Sequence, residues 1–365
     1  MLERRLYFHI DWLLIAAIGA LCAIGLTMIY STTTPPDGVA SRIYWTQLYA
    51  LGLGVIALIA ATVVDYRSLA DKSHLFYLAL IGSLVAVMLF GSKQMGAQRW
   101  LDLGFFNLQP SEFAKATLAL VLAKLLGESR RPNLSNSELF MAVVLTLVPV
   151  ILILRQPDLG TAVTLLPILL VTTFAAGLPV KYLASLALVG ALMAPVAWQF
   201  ALKDYQKERI ETFLDPEQDP RGAGYQQIQA RITVGSGGVW GKGFREGTQG
   251  QLRFLPVAHN DFIFSVLAEE QGFAGVIVVL GLYLFVIMRA LEAAKLAKDR
   301  LGAYLVLGVL ATFTFQVIYN ITMSAGLAPV KGLTLPLMSY GGSSLIATLG
   351  GFGLILNVRM RRFTN

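Results

Sequence analysis

The sequence predicts an all-α integral membrane protein with about ten transmembrane helices and one large extracytoplasmic loop. Of its 365 residues, 56% are hydrophobic and only 14% are charged, and the mean hydropathy is +0.64. A soluble domain carries roughly 25% charged residues, so this composition is typical of a membrane protein. The single cysteine, Cys22, excludes an intramolecular disulfide, and the scattered histidines do not have the spacing of a structural zinc site.

Long apolar runs define the predicted spans, since a helix needs about 20 apolar residues to cross a bilayer. The runs are residues 12–31, 45–64, 75–91, 110–127, 138–154, 159–176, 182–200, 262–288, 302–324 and 341–357. The first is too long for a signal-peptide core and lacks a small-residue cleavage site, so it is predicted to be an uncleaved span. Residues 1–365 then form a single polytopic membrane domain, in which residues 201–261 are the large loop between the seventh and eighth spans.

The distribution of Lys and Arg orients the chain. These residues are concentrated in the loops on the side of the two termini, for example at Arg67, Arg289, Lys295 and Arg359, and are sparse in the opposite short loops. Because cytoplasmic loops are rich in basic residues, both termini are predicted to be cytoplasmic and the loop 201–261 extracytoplasmic. The net charge of +7 then indicates anchoring loops, not nucleic-acid binding.

Asp261 lies where the large polar loop enters the eighth span, within the stretch Arg253–Phe264. An acidic residue in the membrane or at its edge is costly, and such residues are often functional. The alternative is helix capping, because Asp is favoured immediately before a helix. The position alone leaves both interpretations open.

Glu112 and Lys115 follow Pro110 at the start of the fourth span. Because they are three residues apart, they share one helix face and can form an ion pair about one turn below the outer surface. The pair is either purely structural or part of a polar cavity. The cavity is favoured, because other polar residues occur at the same depth.

Those other polar residues also lie towards the outer ends of spans. Asp158 can cap the sixth span or pair with a nearby arginine. Gln316 and Asn320 are spaced i, i+4 in the ninth span, where they either join helices or line a site. Glu269 and Glu270 lie in the outer part of the eighth span and require a partner or a cavity. Any site is therefore predicted to open outward.

The large loop contains a Gly-rich stretch, Gly235–Gly243, that has neither the spacing nor the strand–helix setting of a Walker loop. Backbone N–H groups of a Gly-rich turn, together with cations, can nevertheless bind a pyrophosphate. The cations of this loop include Arg231, Lys242, Arg245 and Arg253. Flexibility of the loop is an equally adequate explanation of the glycines.

Six short motifs stand out along the chain. They are Gly96–Trp100, Gln109–Glu112, Gln156–Thr161, Gly235–Gly238, His259–Phe264 and Ser339–Ser344. In this order they resemble the SEDS family (shape, elongation, division and sporulation) over nearly the whole chain. The stretches Asp215–Gln227 and Val266–Glu270 are more similar to the elongation branch of that family than to the division branch.

The resemblance implies a peptidoglycan glycosyltransferase of the bacterial cytoplasmic (inner) membrane, which polymerises lipid II into β-1,4 glycan strands during elongation. It also implies a class B penicillin-binding protein, bound through its membrane helix, and other proteins of the elongation complex as partners. Asp261 matches the essential catalytic aspartate. Val257 and Asn260 depart from the family pattern, where an acid and a Thr are common, so no role is assigned to a second carboxylate beside Asp261.

The chemistry of this reaction gives the matching residues their expected roles. Asp261 is expected to act as general base towards the acceptor 4-hydroxyl, in an inverting mechanism that needs one essential acid on the protein. A divalent cation could bridge Asp261 and the pyrophosphate, although the sequence requires no metal or cofactor. The candidates for substrate binding are Arg99, Glu112, Lys115, Asp158, Arg231, Lys242, His259 and Ser343.

Two other functions are compatible with the same spans. A lipid II flippase would need polar groups reachable from both faces, commonly on inverted repeats, whereas the polar residues here lie towards the outer side. A scaffold protein would leave Asp261 purely structural. The enzyme is therefore the favoured interpretation. A partner's membrane helix could pack against the ninth span and against small residues of the eighth span, namely Gly272, Gly275 and Gly281.

Overall fold

A computed structural model shows a helical membrane protein. Its helices are α1 (Trp12–Thr33), α2 (Arg42–Val63), α3 (Tyr66–Asp71), α4 (Ser73–Phe90), α5 (Pro110–Gly127), α6 (Asn136–Arg155), α7 (Leu159–Thr164), α8 (Leu166–Ala175), α9 (Val180–Val196), α10 (Asp204–Leu214), α11 (Ala223–Ser236), α12 (Thr248–Gln251), α13 (Ile263–Lys295), α14 (Arg300–Ser324) and α15 (Gly342–Met360). The structure describes residues 9–35, 38–94, 97–102, 104, 107–129, 134–196, 198–199, 204–219, 222–252 and 254–363.

Each of the ten predicted spans contains helix. Within the described residues, seven helices are long and apolar enough to cross a membrane: α1, α2, α4, α6, α13, α14 and α15. The other predicted spans differ from them in three ways. Helix α5 carries three charged residues, α9 has 17 residues, and the sixth predicted span is divided at Leu165 into α7 and α8. Pro167 follows this division and cannot donate a helical hydrogen bond. The count of ten crossings stays a prediction.

An ion-pair cluster joins three helices at the end that the basic residues predict to be cytoplasmic. Asp11 caps α1 by accepting a hydrogen bond from the Leu14 backbone N–H at 3.2 Å. The same carboxylate pairs with Arg289 of α13 and Arg359 of α15, each at 2.8 Å. Because Asp11 is 5% exposed and meets two guanidinium groups, it ties the inner ends of α1, α13 and α15 together.

Helix α15 lies at the centre of the helical core. It is the most deeply buried of the long apolar helices, since 83% of an 18-residue stretch is buried, against 67% for α14. Its most extensive contact is with α2, and it also packs against α5, α13 and α14. A Cβ at Gly353 would lie 2.5 Å from the Leu58 carbonyl oxygen, so the glycine allows α15 and α2 to approach closely.

The segments that the sequence predicts to be extracytoplasmic are more ordered than expected. The loop between α9 and α13, expected as a polar Gly-rich loop, contains α10, α11, α12 and a 3-10 helix, Pro216–Gln218. The segment before α5 forms a small antiparallel sheet of β1 (Ser92–Gln94), β2 (Ala97–Asp102) and β3 (Asn107–Leu108) in the order β1-β2-β3. Strands this short are hard to predict from sequence, since they leave almost no periodic signal.

Helix α13 is broken at Gly272, which has φ 64° and ψ −167°. This conformation interrupts the hydrogen-bond ladder of the helix. The backbone groups next to the break are the N–H groups of Phe273 and Ala274 and the carbonyls of Glu269 and Glu270. At membrane depth, free backbone groups of this kind need other protein partners.

The partners come from residues 237–243, here called the docking loop. Phe273 and Ala274 donate hydrogen bonds of 2.9 and 3.0 Å to carbonyls of this loop. In the other direction, N–H groups of the loop donate to the Glu269 and Glu270 carbonyls at 2.9 and 3.1 Å. The loop residues concerned are Gly238, Val239, Lys242 and Gly243. The docking loop therefore restores the backbone hydrogen bonds that the break in α13 removes.

Replacing Gly272 by Ala is expected to destabilise the protein by about 3 kcal/mol or more, because its backbone region is almost restricted to glycine. In addition, a Cβ at this position would lie 2.2 Å from the backbone nitrogen of Gly241. Thermal unfolding of the purified protein in detergent measures the effect. Gly281→Ala on the same helix is the matched control, since a Cβ at Gly281 meets nothing within 4 Å. Equal melting temperatures for the two variants would contradict the role of the break.

The break also corrects one sequence expectation. Gly272 was predicted to offer a packing surface for a partner helix, but its free side is filled by Val239, Trp240 and Gly241 of the docking loop. Gly281 remains open to a partner.

Candidate active site

Asp261 lies in the turn that precedes α13 and is partly exposed. The N-cap residue of α13 is Phe262, so Asp261 does not occupy the capping position that the sequence left open. Its backbone N–H donates to the Val257 carbonyl at 3.3 Å, and its own carbonyl accepts from Asn320 Nδ2 at 2.9 Å. The carboxylate oxygen Oδ2 lies 3.6 Å from where a Cβ would stand on Gly332. The backbone of Asp261 is therefore fixed from two sides.

Helix α14 connects Asp261 to the buried ion pair. Asn320, which is fully buried, donates to the carbonyls of both Asp261 and Leu333, the latter at 2.7 Å. One turn away on the same face, Gln316 Oε1 accepts from Lys115 Nζ at 3.1 Å. Residues four apart on a helix are about 6 Å apart, so the Asp261 turn and Lys115 meet neighbouring positions of α14. Gln316 and Asn320 therefore connect α14 to α5 and to the Asp261 turn, beside the candidate base.

The Glu112–Lys115 pair shows both features that the sequence predicted. Lys115 Nζ lies 2.7 Å from Glu112 Oε2, and the two residues are only 6% and 7% exposed. Both also line a cavity of about 30 Å³ between α5, α14 and α15. Thr312 lines the same cavity, and its buried hydroxyl has no hydrogen-bond partner among the described residues. The cavity has room for a water molecule, which needs about 10–15 Å³ by this measure.

Arg99 and Asp158 form a second polar cluster above the start of α5. Arg99 Nη1 lies 3.7 Å from Asp158 Oδ1, and the guanidinium also donates to the two carbonyls of Gln156–Pro157. Asp158 caps α7 through the Thr161 N–H at 3.2 Å and accepts from Gln109 Nε2 at 3.0 Å. The predicted cap and the predicted arginine partner are both confirmed. Gly96, from the same motif as Arg99, lies outside the described residues.

Ser343 and His259 support neighbouring segments. Ser343 Oγ accepts from the Gln109 N–H at 2.9 Å and donates to the Asn107 carbonyl at 3.2 Å, which fixes the start of α5. The His259 ring packs edge-on against Tyr340 with 5.7 Å between ring centroids, and the His259 carbonyl accepts from the Tyr340 N–H. Burial lowers the pKa of the His259 imidazole, which favours its neutral form. Substrate contact by either residue stays a prediction.

The cations of the large loop are distributed differently from the expectation. Lys242 Nζ lies 2.6 Å from Glu269 Oε1 and 2.8 Å from Thr248 Oγ1, so its charge is already paired. Arg231 is exposed on α11, beside an open groove of about 430 Å³. Arg253 lies outside the described residues. The N–H groups of Lys242 and Gly243 in the docking loop bond to α13, so this loop is held in place, and pyrophosphate binding by the loop stays a prediction.

Two residues of the site were not singled out from the sequence as candidates. Gln109 links Asp158 with Ser343, and Tyr340 contacts His259. Gln109 and Tyr340 each lie in one of the six motifs, and this position is the sequence feature that could have identified them.

Val257 holds the Asp261 turn in a strained conformation. Its φ is 52°, and its carbonyl accepts the N–H groups of Asn260 and Asp261 at 3.0 and 3.3 Å. A β-branched residue is costly at positive φ, whereas Asn tolerates this region. Val257→Asn is therefore expected to raise the free energy of unfolding by about 1 kcal/mol, measured as a higher melting temperature. Val234→Asn, in the regular helix α11, is the control and should show no gain. A lower melting temperature for Val257→Asn would contradict the strain.

This chain is similar to known proteins along nearly its whole length. Residues 8–363 match the model of the cell cycle protein family that comprises FtsW, RodA and SpoVE. The chain belongs to this family. The FtsW/RodA/SpoVE family is the one that the six motifs indicated, so the resemblance and the all-α membrane class are confirmed.

Relatives in this family match along almost their whole length. The peptidoglycan glycosyltransferase MrdB of Escherichia coli (strain K12) is 38% identical over 355 residues, covering 97% of this chain and 94% of MrdB. The peptidoglycan glycosyltransferase RodA of Treponema pallidum is 33% identical, covering 96% of this chain and 98% of that protein. The probable peptidoglycan glycosyltransferase FtsW of Trichlorobacter lovleyi is 36% identical, with coverages of 95% and 92%.

Solved structures of other proteins also match the fold of this chain. A chain from a study of how a peptidoglycan synthase complex coordinates polymerization and crosslinking matches with a TM-score of 0.85 and 36% identity, covering 98% of this chain and 99% of that chain. The rod shape determining protein RodA of Thermus thermophilus matches with a TM-score of 0.72 and 32% identity, covering 98% of each chain. That RodA has also been solved with one aspartate replaced by alanine.

Proposed function

We propose that this protein is a peptidoglycan glycosyltransferase that polymerises lipid II into β-1,4 glycan strands during cell elongation. The observation that carries the proposal is full-length similarity to proteins named as peptidoglycan glycosyltransferases. The polar residues described above support it, because they surround the outer end of the helical core, where a lipid-linked sugar is within reach.

Asp261 is proposed as the general base. Its carboxylate takes the proton of the acceptor 4-hydroxyl while the hydroxyl oxygen attacks C1 of the donor sugar. The bond from C1 to the lipid pyrophosphate breaks, and the α-linked donor becomes a β-1,4 link by inversion. The partly exposed carboxylate at the loop–membrane boundary and the fixed backbone of Asp261 support this role.

The leaving pyrophosphate requires positive charge. Lys115 and Arg99 are proposed to supply it, with Glu112 and Asp158 as their orienting partners. The start of α5 lies between these pairs, and its N-terminal N–H groups add partial positive charge. Arg231 is a further proposed contact, for the sugar or peptide side of the substrate.

A divalent cation at Asp261 stays a prediction. Within the part of the chain that the structure describes, no group of three or more His, Cys, Asp or Glu residues could hold a metal ion. An ion beside Asp261 would therefore depend on pyrophosphate oxygens for most of its ligands. Such an ion would neutralise charge on the leaving group.

The protein is a multi-pass membrane protein. We place it in the bacterial cytoplasmic (inner) membrane with both termini cytoplasmic, which the basic residues at one end support. Its proposed partner is a class B penicillin-binding protein that binds through its membrane helix, together with other proteins of the elongation complex. The structural similarity to a chain of a peptidoglycan synthase complex supports a partner of this kind.

The test is polymerisation of purified lipid II by the purified protein, with and without the partner, and transport of labelled lipid II across vesicles in parallel. Glycan strands made by the wild type support the proposal. Transport without polymerisation in the presence of the partner would instead make the protein a flippase.

A further inference from the structure

Glu269 is the centre of a buried cluster on the outer half of α13. Its side chain is 0% exposed and pairs with Lys242 Nζ at 2.6 Å. Its carboxylate accepts four further hydrogen bonds, from Ser236 Oγ at 3.3 Å, Thr248 Oγ1 at 3.2 Å, Gln249 N at 3.1 Å and Gly250 N at 3.4 Å. All five donors belong to residues 236–250, from the last residue of α11 to α12. One carboxylate therefore gathers several points of this segment onto α13.

The backbones of the docking loop and α13 also pack closely, with no space for a Cβ at two glycines of the loop. A Cβ at Gly237 would lie 1.9 Å from the Ala268 carbonyl oxygen, and a Cβ at Gly241 would lie 2.2 Å from the Glu270 carbonyl oxygen. The Lys242 N–H also donates to the Glu269 carbonyl at 2.9 Å. The docking loop is thus seated on α13 through main chain and side chains alike.

We propose that Glu269 and Lys242 form a clamp that positions Asp261, and that the Lys242 charge serves Glu269 and not the substrate. About two helical turns separate Asp261 from Glu269, so the clamp fixes the helix start that follows Asp261. A fully buried carboxylate without its cation is strongly destabilising. A pyrophosphate that drew the Lys242 ammonium away from Glu269 would therefore destabilise the fold. Both are positioning residues, and the inference rests on the proposed function.

Three variants of the full-length protein separate the two roles: Lys242→Met, Glu269→Gln and the double variant. Lys242→Met leaves the buried carboxylate unpaired and is expected to lower kcat for lipid II polymerisation about 100-fold, with KM little changed. Glu269→Gln is expected to be milder, because Lys242 keeps a partly exposed ammonium and an amide oxygen as partner. The double variant removes both charges and should recover at least about tenfold over Lys242→Met.

Hydrogen–deuterium exchange supplies a readout that does not depend on activity. Lys242→Met is expected to raise exchange in residues 236–250 and in the Asp261 turn, 257–264, and the double variant is expected to reverse it. Lys207→Met, on α10 of the same extracytoplasmic segment, is the control and should change neither exchange nor kcat. If Lys242→Met is too unstable to purify, an active double variant still supports the clamp.

A substrate role for Lys242 gives a different pattern. KM would rise in Lys242→Met and stay raised in the double variant, and exchange would not change; this result overturns the clamp. If the wild type does not polymerise lipid II but the exchange pattern holds, the proposed function fails while the clamp stands.

Discussion

Replacing Asp261 by Ala or Asn is expected to abolish glycan polymerisation while leaving the protein folded. Loss of a general base lowers a rate by about 100- to 10,000-fold. The fold should survive, because both substitutions leave in place the hydrogen bonds that the backbone N–H and carbonyl of Asp261 make. Polymerisation of lipid II by detergent-purified variants, beside their melting temperatures, measures both effects.

The matched control is Asp215→Asn, which removes an exposed carboxylate from the segment between α9 and α13. It should polymerise like the wild type. Normal polymerisation by a folded Asp261→Asn protein would show that Asp261 is not the base.

Replacing Lys115 by Met is expected to remove both stability and activity. Glu112, with 9% of its side chain exposed, would lose the ammonium at 2.7 Å that compensates its charge. Breaking a buried pair by removing one partner costs about 3–5 kcal/mol. Polymerisation should fall as well, because Lys115 is proposed to contact the leaving pyrophosphate.

The double variant Lys115→Met/Glu112→Gln separates these effects. It should regain most of the melting temperature, since no unpaired buried charge remains, yet stay deficient in polymerisation. Recovery of activity together with stability would make the pair purely structural. Lys124→Met, at the other end of α5, is the control, and its partly exposed pairs with Asp71 and Glu128 should contribute at most about 1 kcal/mol.

The spans could be predicted because hydropathy and the spacing of charged residues are local properties of the chain. The Glu112–Lys115 pair follows from i, i+3 spacing, and the position of Asp261 follows from the change from polar to apolar sequence. The prediction that the polar residues face outward rests on the same boundaries. No partner far away in the sequence is needed for any of these conclusions.

Other features could not be predicted because they depend on contacts between distant residues. Asn320 reaches Asp261 across 59 positions, and Ser343 meets Gln109 across 234. The break at Gly272 follows the polar residues Glu269–Gln271, but neither they nor the glycine predict a break, since a glycine is also tolerated inside a membrane helix. Its stabilising partners precede it by some 30 residues, as Gly238 bonds to Phe273. The Lys242–Glu269 pair could not be predicted for the same reason, because the two residues are 27 positions apart. Without this partner in view, Lys242 was a candidate for substrate binding.

The central place of α15 has a consequence for how the protein is made. A ribosome produces α15 after the long helices that it packs against, including α2, near the beginning of the chain. Until then, the space that α15 fills has no apolar side chains to occupy it, and Ser343 cannot fix the start of α5. A nascent chain halted before residue 342 is therefore expected to be inserted but inactive. Polymerising activity is expected to begin only when synthesis has passed this helix.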